Sequence, residues 1–180
     1  MPLVLALAAL LVASPASSWA RTGARIHAPQ AHVLRAPAAT TAGSVTSTAK
    51  FVLHAGLAFG AFHHFIYLPF KSGSLTKGGF FSHKKALIAA ALAGLFAYHE
   101  MKLAISDVSS SPLLKKLLSP VTALASKLSA LASRLKGGHV DASSIQGASG
   151  EVSSLGSLAS AAHAKISESV PSLSQLAKGG

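Results

Sequence analysis

FVLHAGLAFGAFHHFIYLPF (Phe51–Phe70) and ALIAAALAGLFAYHEMKLAI (Ala86–Ile105), joined by KSGSLTKGGFFSHKK (Lys71–Lys85), decide the fold. An apolar run of this length makes a helix of about 30 Å, which matches the hydrocarbon thickness of a bilayer. A short connection makes the two helices antiparallel neighbours, so residues 50–107 read as an apolar helical hairpin. The second run is uninterrupted only over Ala86–Tyr98, a length that suits a buried helix as well as a span. A transmembrane hairpin and a soluble one therefore both stay open, and the first segment favours the membrane. If the second helix spans, Lys84 and Lys85 snorkel at one end while His99, Glu100 and Lys102 lie toward the other.

The connection carries Lys71, Lys77, Lys84 and Lys85 and no acid. The positive-inside bias places it in the cytoplasm and both flanks outside. Gly56 and Gly60 form a GxxxG on one helical stripe with His63 and Tyr67, and Ala90 with Gly94 offers a matching face of small residues. Such faces let helix backbones approach closely, within the hairpin or between copies. Pro69 is read as the end of the first helix.

Outward from the hairpin, residues 1–20 have the form of a secretory signal, with an apolar core Leu3–Ala13 and small residues at Ser18 and Ala20 before Arg21. No Lys or Arg precedes that core. Residues 21–49, rich in Ala, Thr, Ser and Pro, show no apolar period and read as a disordered linker, with His27 and His32 as solvated residues in it.

On the other side, residues 108–171 change character. Apolar residues at 114, 117, 121, 124, 128, 131 and 135 alternate steps of three and four, Gly137-Gly138 stops them, and the steps resume at 145, 148, 152, 155, 159, 162 and 166. This predicts two heptad-like amphipathic helices folded into an antiparallel pair. Ser111-Pro112 and Ser119-Pro120 read as helix starts, Asp141 as an N-cap, and Pro171 as the close. Folding the register about residue 140 sets Lys127 against Glu151, and Lys115 or Lys116 against Glu168. Residues 172–180 read as a disordered tail. The fold class is all-α.

Lys and Arg number 16 against 5 acids, a net charge of +11. That excess favours an anionic partner, and the thin spread of cations with one Trp and two Tyr argues for lipid headgroups or acidic wall polymers over nucleic acid. Lys84, Lys85, Lys127, Arg134 and Lys136 are the candidate membrane-interface residues. The absence of cysteine excludes disulfides, thiolate metal sites and thiol catalysis.

Pairing Pro69 with Lys84 across the connection makes facing positions sum to 153, and His54 with His99 satisfies that sum. Two level imidazoles suit a haem iron, and with Glu100 they form a candidate divalent-metal or proton-relay set. The plainer reading has each imidazole bonded to a neighbouring carbonyl or side chain. His63 and His64 are about 100° apart on a helix and do not share one site. His99-Glu100 lacks the second histidine of a zinc-protease helix, since position 103 is Leu. The serines fall in no nucleophile motif, so no catalytic residue is assigned and an enzyme is not expected.

HAGLAFGAFHHFIYLPF, YHEMKLAI and the Ser-Pro-containing heptad tail together resemble a family of small exported actinobacterial proteins to which no activity is attached. The resemblance covers residues 50–175 and implies an extracytoplasmic or envelope setting. The leading expectation is a non-enzymatic, membrane-associated or secreted envelope protein with a structural or interaction role. Its partners would be anionic lipid and, through the GxxxG face, a second copy or another envelope protein; no cofactor is expected. The alternatives are a haem or metal protein using His54 and His99, and a membrane-permeabilising amphiphile using Pro120–Lys136.

Overall fold

In a computed structural model the described residues are 38–76 and 80–179, and their regular structure is helical with no strand among them. Residues 36–180 form one compact unit; the expected signal and most of the expected linker lie outside the described residues. Helix α1 (Ala38–Phe62) passes through a π-turn (His63–Tyr67) into the short α2 (Leu68–Lys71). After the connection come α3 (Phe80–Ser110), a 3₁₀ turn (Pro112–Leu117), α4 (Leu118–Lys136), α5 (Ala142–Ala161) and α6 (Leu173–Gly179).

The hairpin is present, but both helices exceed their expected bounds. Helix α1 begins at Ala38, inside the stretch expected to be disordered. Propagating a helix outward from a packed segment adds a bond for each residue fixed, so an Ala/Thr tract is readily recruited. Pro69 does not end the helix. It sits at the first turn of α2 just after the π-turn, and the wider winding there accommodates a residue that lacks an N–H and crowds the carbonyl four residues back.

Val45–Lys71 and His83–Ser110 are each long and apolar enough to cross a membrane, and about half of each one's most apolar window, 50% and 44%, is buried inside the protein. The two helices bury each other, and α4 covers a further side of α3. The expected helix pair does not stand apart from the hairpin: α3 packs on α1 along one side and on α4 along another. Gly94 permits the close approach to α4, since a Cβ there would lie 3.0 Å from the Cβ of Ala132. All seven heptad positions from Leu114 to Leu135 are buried, as are Ile145, Ala148, Leu155 and Ala159 of α5. The period of three and four thus marks the face turned to a shared core.

Helix α4 ends at Gly137, with Gly138 in the left-handed region (φ 81°). Asp141 caps α5 by accepting from the Ser143 amide at 3.0 Å. Ser111 is extended before Pro112, as expected, but Ser119 and Pro120 lie within the first turn of α4 rather than starting a helix. Pro171 does not close α5 either, because that helix stops at Ala161. His163 adopts φ 58° and the Ala164 amide reaches back to the Ala159 carbonyl at 2.8 Å. This is a Schellman end with histidine where glycine is usual. The chain beyond it runs non-helically along α1 to α6, whose Leu176 is fully buried.

Candidate functional site

The glycine stripe is occupied by the chain itself. The strap after α5 lies over Gly56 and Gly60, with the Ser169 amide donating to the Gly56 carbonyl at 3.0 Å. A Cβ at Gly56 or Gly60 would collide with the carbonyl oxygens of Ser167 and Ser169, respectively. An extended segment, not a second helix, uses this close approach, so the stripe is not available to a second copy while the strap is in place. Ala90 is fully buried and Gly94 faces Ala132 of α4. Gly94 thus serves the α3–α4 contact rather than matching Gly56 and Gly60.

The facing imidazoles do not assemble. His54 meets Glu100, not His99: its Nδ1 lies 2.7 Å from Glu100 Oε2, and its Nε2 lies 3.9 Å from Asp107 Oδ2. Glu100 and Asp107 are seven residues apart, two turns along one face of α3, so both point at α1. His99 is one residue away from Glu100, about 100° around the helix, and is exposed. Among the described residues no three metal-binding side chains gather as a metal ion would require. His54, His99 and Glu100 are therefore not brought together as the set the register suggested.

Asp107 is the strained member of this cluster. Its Oδ2 is buried without a hydrogen-bond partner. Burial pushes its carboxyl above the usual carboxylate range, against the opposing pull of the His54 and Lys50 charges.

Every acid in the chain faces a base from another part of it. Besides Glu100 and Asp107 on His54, Glu151 accepts from Lys127 at 2.6 Å, Asp141 pairs with Arg134, and Glu168 meets His63 Nδ1 at 2.7 Å. The Lys127–Glu151 contact is the one the folded register anticipates. Glu168 is not opposite Lys115 or Lys116, because the helix has ended before it and the strap carries it to α1. Asp141 is the most tightly held of these carboxylates: the Ser144 and Ser143 hydroxyls and their amides lower its pKa to about 2.

Exposed lysines gather at both ends of the hairpin, with Lys102, Lys115 and Lys116 about the α3–α4 junction and a second set about the hairpin connection. Lys71, Lys84 and Lys85 flank the connection between the hairpin helices, and Lys136 ends α4 beside it; all four side chains are exposed. Beside Lys136 an apolar groove runs along Leu87, Ile88, Ala91 and Leu92 of α3 to Leu135 of α4, while Leu68 lies in a separate depression with Lys71; Leu68 and Ile88 are 45% and 61% exposed. Of the expected interface residues, Lys84, Lys85 and Lys136 belong to the connection end. Lys127 and Arg134 are engaged in ion pairs on the flank. The leucine face of Pro120–Lys136 is buried against α3, so a permeabilising role for that segment would require its release from the bundle.

The fold and its surface define a class: a helical bundle with an apolar hairpin at its centre, its acids tied internally and exposed lysines at both ends of that hairpin. No protein-family model, no curated protein and no solved structure matches the chain.

Proposed function

We propose that this protein is a non-enzymatic, extracytoplasmic component of the cell envelope that docks on an anionic membrane surface through the lysines at the connection end of its hairpin. The observation that carries this reading is the coincidence of Lys71, Lys84, Lys85 and Lys136 with exposed Leu68 and Ile88. Cations attract anionic headgroups at about 1 kcal/mol each near the surface, and apolar side chains among them insert into the headgroup boundary.

Docking is favoured over crossing by the packing of α4. If α3 spanned a bilayer in this bundle, α4 would lie in the hydrocarbon beside it. The outward face of α4 carries Thr122, Ser126, Lys127, Ser133 and Arg134, with Lys127 at mid-helix. An isolated charge at that depth costs roughly 3 kcal/mol even by lenient scales, and Lys127 would take its Glu151 partner to the same depth. Burial in the common core takes up about half of the most apolar window of each helix.

Co-sedimentation with vesicles tests the reading. The protein is expected to pellet with phosphatidylglycerol vesicles at low salt and to stay in solution with phosphatidylcholine. Lys84→Glu with Lys85→Glu should abolish pelleting while leaving the helical circular dichroism unchanged. Equal binding to both lipids, or binding unaffected by the double reversal, would remove it.

A further inference from the structure

A second feature lies apart from those lysines. The π-turn, α5 and the strap enclose an open cleft of about 310 Å³, within the range of small-ligand sites. Phe59, Phe62 and Tyr67 line one side, Val152 of α5 lines it with them, and His63, Glu168, Ser149 and Ser153 supply the polar groups, of which Glu168 is the carboxylate. We propose that this cleft binds a small organic cation, an ammonium group carried on an aryl or alkyl body.

Four observations converge on that chemistry. First, the cleft selects charge against the grain of the chain: in a protein of net charge +11, none of the described lysines or arginines lines it, and its carboxylate is Glu168. An anion would find better company almost anywhere else on the surface. Second, aromatic faces beside a carboxylate are the arrangement that attracts ammonium ions, through the ring quadrupole and a charge-assisted hydrogen bond.

Third, the carboxylate is held in place. His63 Nδ1 engages Oε2 at 2.7 Å, the His63 and Tyr67 rings lie 5.7 Å apart, and the remaining oxygen of Glu168 is left as an acceptor. Fourth, the backbone is wound irregularly here. A π-turn brings His63 and Tyr67 together on the cleft wall, and such turns recur at functional sites. The α5 side is kept open by Gly156, where an added Cβ would meet only Phe59, at 3.9 Å.

Three isosteric probes separate the possibilities: benzylammonium, benzyl alcohol and benzoate, titrated at pH 8 into the full-length protein by isotope-edited NMR. Benzylammonium is expected to saturate and to bind at least about tenfold more tightly than benzoate, with benzyl alcohol between. Glu168→Gln should erase that preference. Gly156→Leu should abolish binding of all three probes by filling the cleft. Because it replaces a helical glycine with a better helix former, it should remain folded. Benzoate binding as tightly as benzylammonium, no saturation by benzylammonium up to roughly 10 mM, or undiminished binding to the Gly156→Leu protein would each overturn the proposal.

Discussion

The Ser169 amide donates to the Gly56 carbonyl at 3.0 Å, and this bond joins the strap between α5 and α6 to the first helix. It explains why α1 carries glycine at 56 and 60. Helical carbonyls are ordinarily shielded by neighbouring side chains. Here the missing Cβ atoms let the non-helical strap lie directly on the helix backbone, with Ser167 over Gly56 and Ser169 over Gly60.

Glycine at these positions should therefore outperform alanine despite its poorer helix propensity. Gly60→Ala is expected to destabilise the protein by about 1–3 kcal/mol, because backbone rather than a flexible side chain must move. Gly147→Ala provides the control: nothing lies within 4 Å of its added Cβ, so only propensity changes and stability should rise by about 1 kcal/mol. Urea unfolding of the two variants checks the pair, and the same sign for both would show that the strap does not rest on α1.

Asp107 makes a pH-dependent prediction. Burial raises its carboxyl pKa in the folded protein, so the native state holds that proton more tightly than the unfolded chain does. Its contribution is therefore fully favourable below the unfolded value, near 3.9, and is lost as pH rises through the raised one. Asp107→Asn keeps the shape without the charge. It is expected to melt at a higher temperature than the wild type at pH 7, with the gap closing at pH 4. Thermal melts at both values test this; a variant less stable at pH 7 would mean that His54 needs the charge more than burial penalises it.

Asp141 behaves in the opposite sense. Its hydroxyl and amide donors depress its pKa to about 2, so the cap contributes above the unfolded value near 3.9 and is lost as pH falls toward 2. Asp141→Ala should lower the urea midpoint at pH 6, and the difference from wild type should shrink between pH 4 and pH 2. A gap that persists unchanged at pH 2 would contradict the capping role.

The parts of this fold visible in the sequence are those set by local periodicity. The heptad steps named the buried face of α4 residue by residue, Gly137-Gly138 marked its end, and Asp141 marked the start of α5. Lys127–Glu151 followed from an antiparallel register with no interruption between them. Where a second physical term intervened, the pattern misled. His163 ends α5 in the left-handed conformation without the glycine that signals such a stop, so Glu168 was extrapolated along a helix that no longer exists.

His54 shows a different limit. Equal depth in a hairpin fixes height along the axis, but neighbouring residues differ by about 100° in direction. The register therefore pointed to His99 when the inward-facing residue was Glu100. The cleft behind His63 was not legible at all, because its walls come from α1, α5 and the strap, and only the fold brings them together.

Whether the apolar helices form a soluble core or a membrane span is decided most directly by extraction of the protein from native membranes. A bundle held at the surface by lysines should be released by 1 M sodium chloride, since salt at that strength screens charges beyond roughly 3 Å. Recovery of folded protein in the salt supernatant is the expected result. Retention in the pellet through both high salt and alkaline carbonate, with release by detergent, would contradict it and return α1 and α3 to the bilayer.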